Sequence, residues 1–302
     1  MAQIILMIKN DYLKFLKKKE VAGKPIAHKV EKLNKFYLPL SEWIYSIYKK
    51  DQKTKIIGLS GGQGAGKSTI TAILKFLLKK KYGLNLCCFS IDDFYKTKSE
   101  RREMSRSVHP LFLTRGVPGT HDIGLINKTI QKLKKKKFKS LLVPKFDKSK
   151  DDRSQKKRWQ KITNRPNIII FEGWCVGAKH ESNVALKKAL NTIERKYDTK
   201  LIWRTEVNRN LKKQYKKLFN KIDKIIYLKA PNFDRIFKWR LLQEQKMKLT
   251  TKTKKTMSKS QVKEFIMFYE RITRNMMKNF NKISDLTVFL DKSHRSKKIK
   301  FH

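Results

Sequence analysis

The residues whose types and spacing best suit chemistry run from Gly58 to Thr69. Within them Gly61, Gly62, Gln63, Gly64, Ala65, Gly66, Lys67 and Ser68 fit G-x-x-x-x-G-K-[ST], a loop that holds nucleotide phosphates. Glycines let the backbone turn tightly, so that successive N–H groups point at one anion. Lys67 reaches the β- and γ-phosphates, and the Ser68 hydroxyl is placed to bind Mg2+. Thr69 opens a helix whose N-terminus adds partial positive charge where the anion lies. ATP and Mg2+ are therefore the expected cofactors.

Two further sets of carboxylates have the right context. Leu84 to Ser90 reads as a strand that ends in Ile91-Asp92-Asp93-Phe94-Tyr95, and open α/β sheets bind ligands beyond the carboxyl ends of their strands. Asp92 or Asp93 there can accept a proton from a substrate hydroxyl, hold the metal or its water, or cap the next helix. Ile168 to Phe171 is an apolar strand that runs straight into Glu172, the Walker B arrangement, which binds Mg2+ directly or through water. A carboxylate in that position needs a partner, because an unpaired buried charge is costly.

The acceptor side is expected in two loops. Val108 to Asp122 combines two prolines and two glycines with Arg115, His121 and Asp122, and reads as an ordered loop. The guanidinium of Arg115 is a fork suited to a planar carboxylate. His109 and His121 are open to either a substrate-binding or a structural role. Leu141 to Arg153 reads as a short strand entering a polar loop with Lys145, Asp147, Lys148 and Arg153. These cations either hold an acidic substrate or lie on a charged surface.

The elements that must position these residues follow from periodicity. Lys55 to Leu59 is a buried strand before the loop. Thr69 to Tyr82 is an amphipathic helix with Ile70, Ile73, Leu74, Leu77 and Leu78 at helical spacing. Residues 27–50 carry a helical stripe that Pro39 should interrupt or bend. Helices are also expected over 123–137, 208–219 and 232–247, and from Ser258 onward. Strands are expected over 224–228 and 286–290, a connection over 154–166, a low-complexity mobile loop over 246–259, and a fraying basic tail from Asp291. Together these predict an α/β, P-loop NTPase fold of three layers with a mostly parallel central sheet. Residues 1–50 form a helical N-terminal extension, and residues 51–302 form the P-loop domain with a helical lid.

The segment Ser90 to Tyr95, following the phosphate loop, resembles the phosphoribulokinase/uridine kinase group of small-molecule kinases. That resemblance implies that Asp92 is the general base. Three further segments, Arg115 to Asp122, Pro144 to Ser149 and Phe171 to Gly177, are similar to the D-glycerate 3-kinase family. The similarity is closest to its bacterial members and to the related yeast and plant P-loop kinases, and it runs from about residue 40 to about residue 250. It implies ATP-dependent phosphorylation of a small hydroxy acid, D-glycerate to 3-phospho-D-glycerate. Ser68, Glu172 and Asp92 would attend the metal, and Tyr95, Arg115, His121, Asp122, Lys145 and Arg153 the substrate. Arginines after the strand at 224–228, Arg240 or Arg235, would lie on a lid over the phosphates. The plant enzymes differ over Val117 to Thr120 and over Pro144 to Arg153, which leaves other acceptors such as pantothenate or a nucleoside open.

Whole-chain properties set the remaining bounds. The 302 residues include 74 Lys and Arg against 25 Asp and Glu, a net charge of +49. Such a charge suits a nucleic-acid-dependent NTPase, and an ATP-driven regulatory protein is a further class. But the lysines are spread along the chain, and Asn, Ile, Phe and Tyr are plentiful too. Base composition of the gene is therefore the expected cause, with no specific nucleic-acid partner. Cys87, Cys88 and Cys175 have no metal-ligand spacing and fit a reducing cytoplasm. The N-terminal apolar run lacks a basic leader and is short for a signal peptide, and no run reaches membrane-spanning length.

Overall fold

The computed structural model describes residues 2–18, 26–250 and 256–302. Its centre is a six-stranded sheet of β1 (Lys55–Gly61), β2 (Leu86–Ser90), β3 (Ile168–Gly173), β4 (Lys224–Lys229), β5 (Leu286–Leu290) and β6 (Ser296–Phe301). The strand order is β6-β5-β4-β1-β3-β2, and every neighbouring pair is parallel except antiparallel β5 and β6. Alternate side chains of a strand point to opposite faces. Accordingly Ile168 and Ile170 of β3 enter one core, and Ile169 and Phe171 enter the other; Ile57 and Leu59 of β1 oppose Ile56 in the same way. Covered on both faces, these strands are near-continuous apolar runs, as parallel sheets are.

One face is covered by α1 (Ala2–Lys18), the helical run α2 over residues 26–49, and α3 (Lys67–Tyr82). The other is covered by α5 (Ile123–Lys134) and the helical run α6 over residues 202–219, with α4 (Lys98–Ser107) beyond the end of β2. Two long helices near the C-terminal end, α7 (Phe233–Thr250) and α8 (Lys259–Lys278), pack against each other. This is the three-layer α/β fold of P-loop proteins. Cys87 and Cys175 are small buried core residues within it. No helix among the described residues is long and apolar enough to cross a membrane.

One sequence expectation holds and three need correction. Pro39 interrupts the α-helix as expected: a wide turn over Leu33–Tyr37, closed by the Leu38 N–H on the Leu33 carbonyl, precedes it, and a further α-helix runs from Leu38 to Lys49. A first-turn position suits a residue with no N–H. The stretch 246–259 is not all loop, because α7 continues to Thr250 and Ser258 caps α8 by accepting the Gln261 N–H; residues 251–255 lie outside the described residues. The connection 154–166 contains a strand, Gln160–Ile162, paired antiparallel with Leu141–Val143. Finally, the tail does not fray. The Asp291 carboxylate accepts the N–H groups of Ser293 and Arg295 at 2.7 and 2.8 Å, which reverses the chain into β6. A lysine-rich strand at a sheet edge has too little apolar alternation to be read from sequence.

Candidate active site

The phosphate loop leaves the end of β1 and enters α3 at Lys67. Gly64 takes φ +76°, and a Cβ there would lie 2.7 Å from the Cβ of Trp239 on α7, so the loop needs glycine both for its turn and for the close approach of α7. Lys67 donates to the carbonyls of Gly61 (2.7 Å) and Gly62 (3.1 Å), folded back over its own loop. Burial lowers its pKa, and Lys148 adds to that, while the charges of Glu172 and Asp92 act in the opposite direction. The Gln63 Oε1 is buried without a protein partner.

Parallel pairing brings the two acidic segments to this loop. Glu172 lies level with Leu59 of β1 and with Ser90 of β2. Its carboxylate accepts from the Ser68 hydroxyl at 3.0 Å and the Thr71 hydroxyl at 3.1 Å, so Thr71 joins the site unannounced by the sequence. Asp92 follows β2 on a short 3-10 turn, Ile91–Phe94, whose Ser90 cap accepts the Asp92 N–H. The Tyr95 hydroxyl donates to Asp92 Oδ1 at 2.9 Å, and Lys148 Nζ lies 3.4 Å from Oδ2. Burial by itself would raise the Asp92 carboxyl; Lys148, His121, Tyr95 and Lys67 outweigh it and hold the group below the ordinary carboxylate range. Asp93 turns away: it accepts the Ser90 N–H at 3.0 Å and pairs with Lys145 at 2.8 Å. Of the two acids the sequence offered, Asp92 is the one free to act, and Asp93 completes the cap. The donor set around Ser68, Glu172 and Asp92 is all oxygen with two carboxylates, which fits Mg2+ held partly by substrate phosphates.

The loop expected on the acceptor side is a hairpin of two-residue arms, Phe146–Asp147 and Asp152–Arg153, closed at its foot by the Ser154 N–H on the Lys145 carbonyl. Nearly every charge on it finds an opposite one. Lys145 pairs with Asp93 and Lys148 with Asp92. Arg153 pairs with Asp122 at 3.1 Å and donates to the Tyr95 carbonyl at 3.2 Å. Asp151 pairs with both Arg115 and the fully buried Arg101. Arg115 also lies over the Phe146 ring. Its following residue is Gly116, where a Cβ would run into the Tyr269 hydroxyl of α8. Asp147 is a turn residue: it accepts the N–H groups of Ser149 and Lys150 and so presents Lys148 at the tip.

The two histidines separate. His109 accepts the Leu111 N–H and lies 3.9 Å from Asp198, a structural position. His121 is 1% exposed and stacks on Tyr95 at 4.5 Å. Its Nδ1 is 2.6 Å from the Tyr215 hydroxyl, which also accepts the Gly119 N–H at 3.0 Å. The Tyr215 proton therefore goes to Nδ1 and leaves the imidazole proton on Nε2, a buried atom with no protein partner. Burial pushes the His121 pKa down to about 4, against the pull of Asp92, so the ring is neutral. Asp122 caps α5, accepting the Leu125 N–H at 2.9 Å with one oxygen while Arg153 takes the other.

Toward the expected lid, Arg240 on α7 is bound to Glu244 and lies over the Phe265 ring at 5.4 Å. Arg235 is half-buried in the first turn of α7, its N–H accepted by Asn232. Trp239, whose ring stacks on His294 at 4.0 Å, reaches the phosphate loop from the same helix. Neither Tyr215, Tyr269 nor Trp239 carried a sequence signal, since each arrives from a distant helix whose apolar spacing reads simply as core, and His294 comes from the turn before β6.

Comparison with known proteins agrees with this geometry. Residues 56–238 match the Phosphoribulokinase / Uridine kinase family. A Schizosaccharomyces pombe protein described as uncharacterized kinase mug58 is 34% identical over 229 residues, 73% of this chain and 80% of the relative. The chloroplastic D-glycerate 3-kinase of Arabidopsis thaliana is 30% identical over 225 residues, 71% of this chain but only 46% of the plant protein, so this chain spans about half that relative's length. The solved D-glycerate 3-kinase from Cryptococcus neoformans is similar with a TM-score of 0.72 at 26% identity, over 93% of this chain and 100% of that one.

Proposed function

The chain belongs to the phosphoribulokinase/uridine kinase family, and from that premise we propose that it transfers the γ-phosphoryl group of ATP to the 3-hydroxyl of D-glycerate, giving 3-phospho-D-glycerate and ADP. The observation that carries the acceptor reading is the set of cations on the segments that meet Asp92: Lys148 beside its carboxylate, and Arg115, Lys145 and Arg153, each held by an acid whose place a substrate carboxylate could take. An Arg fork matches a carboxylate, and the free hydroxyl of a short hydroxy acid then lies a few atoms away for the base. The similarity to D-glycerate 3-kinases supports the same acceptor.

In this proposal the N–H groups of the loop from Gly61 to Thr69 cradle the phosphates, and Lys67 turns outward to meet them. Ser68, Glu172 and Asp92 would hold Mg2+, which would neutralise phosphate charge when bound. Tyr95 holds Asp92 in place, and Asp92, ionised near neutral pH, takes the hydroxyl proton. The Nε2–H of His121 donates to an oxygen of the acceptor. Asp122 orients Arg153, Arg240 stands at the lid, and the cytoplasm is the compartment that the free cysteines suit.

ADP release is the test, measured with ATP, Mg2+ and in turn D-glycerate, L-glycerate, pantothenate, uridine and single-stranded DNA. D-Glycerate alone should stimulate, with phosphate found on the 3-hydroxyl. Asp92→Asn should keep ATP binding and lose about 10²-fold or more in turnover. Stimulation by pantothenate or uridine instead would replace the acceptor.

A further inference from the structure

We infer that Lys148, at the tip of the acceptor hairpin, is a catalytic residue that transfers its charge from Asp92 to the phosphoryl group in flight. The inference rests on the kinase reading above, though not on which hydroxyl is the acceptor.

The argument starts from which cations are committed. Arg240 is bound to Glu244 and stacked over Phe265. Arg153 holds Asp122 and the Tyr95 carbonyl, and Arg115 holds Asp151. Lys145 is tied at 2.8 Å to Asp93, itself fixed to the Ser90 N–H. Lys148 differs: its ion pair among the described residues is the 3.4 Å contact to Asp92, and its side chain is 64% exposed. The turn built by Asp147 fixes its backbone and leaves the ammonium free to swing. Its charge is also felt by Lys67 of the phosphate loop.

The transfer step brings negative charge within range of the same lysine. The hydroxyl oxygen of the acceptor forms a bond to the γ-phosphorus. The bond from that phosphorus to the bridging oxygen breaks, and its electron pair leaves on ADP. The hydroxyl proton goes to Asp92, and negative charge spreads over the three phosphoryl oxygens, toward which Lys148, held by its one 3.4 Å contact, can turn. A flexible ammonium with three donors can follow that charge.

The test compares Lys148→Ala, Lys148→Arg and a control, Lys150→Ala, an exposed lysine of the same turn. Affinity is measured for ADP with Mg2+, and for ADP with Mg2+ and aluminium fluoride, a mimic of the transferring phosphoryl group that needs no acceptor. Lys148→Ala should keep ADP affinity within twofold, weaken the fluoride complex about 10²-fold, and lower kcat about as much, the scale found on removing one transition-state donor. Lys148→Arg should regain at least tenfold, and Lys150→Ala should match wild type. Unchanged fluoride affinity in Lys148→Ala overturns the inference, as does a defect confined to the acceptor KM. A wild-type protein that gains no affinity from aluminium fluoride overturns it too. Because the mimic binds without acceptor, failure of the glycerate assignment would show separately, as absent stimulation of wild-type ADP release.

Discussion

His121 illustrates how far one residue's chemistry is set by others. Tyr215 holds its Nδ1, burial removes its charge, and the remaining proton on Nε2 faces no protein acceptor. A free histidine titrates near 6.5, whereas this one titrates near 4 in the folded protein. Below pH 6.5 the unfolded chain therefore binds a proton that the folded chain refuses. The stability contributed by neutral His121 is present above 6.5 and is lost as the pH falls toward 4, by about 3 kcal/mol in all. Denaturant midpoints measured against pH should drop faster in wild type than in His121→Asn across that window. Parallel curves would mean that the ring titrates normally. Sequence spacing could nominate this histidine but could not separate it from His109, because the deciding neighbour, Tyr215, is 94 residues away.

At the scale of elements, the phosphate loop and α7 are one packing unit. Gly64 lies against Trp239 and Gly62 against Ile236, so the helix that carries Arg240 is seated directly on the nucleotide loop. Gly64→Ala places a methyl group 2.7 Å from the Trp239 Cβ in a left-handed backbone conformation. We expect a loss of about 2 kcal/mol in stability with at least a tenfold loss of ATP affinity, read by thermal melts with and without nucleotide. The strand–loop–helix unit itself was legible from Lys55 to Tyr82, since a glycine-rich turn between a buried strand and an amphipathic helix is a local pattern. So were the strand-end acids Asp92 and Glu172. The acceptor hairpin was legible only as a charged loop. Its two-residue arms are too short to show periodicity, and its order comes from ion pairs with Asp92, Asp93, Asp122 and Arg115 on other segments.

Across the whole molecule the net charge of +49 makes some attraction to polyanions unavoidable. DNA should bind with an affinity that falls steeply between about 50 and 200 mM salt, while acceptor-stimulated ADP release stays unchanged by DNA at either salt. DNA-dependent turnover that survives high salt would move the protein to another class. One part of the lysine surplus has a definite physical effect. Among the described residues the outer strand β6 has no further strand beside it, and Lys297, Lys298 and Lys300 on it are all exposed. An open strand edge is a template on which another chain can add itself. Three ammonium groups along this one repel the matching edge of a second molecule, so the segment that reads as a loose basic tail guards the folded kinase against aggregation.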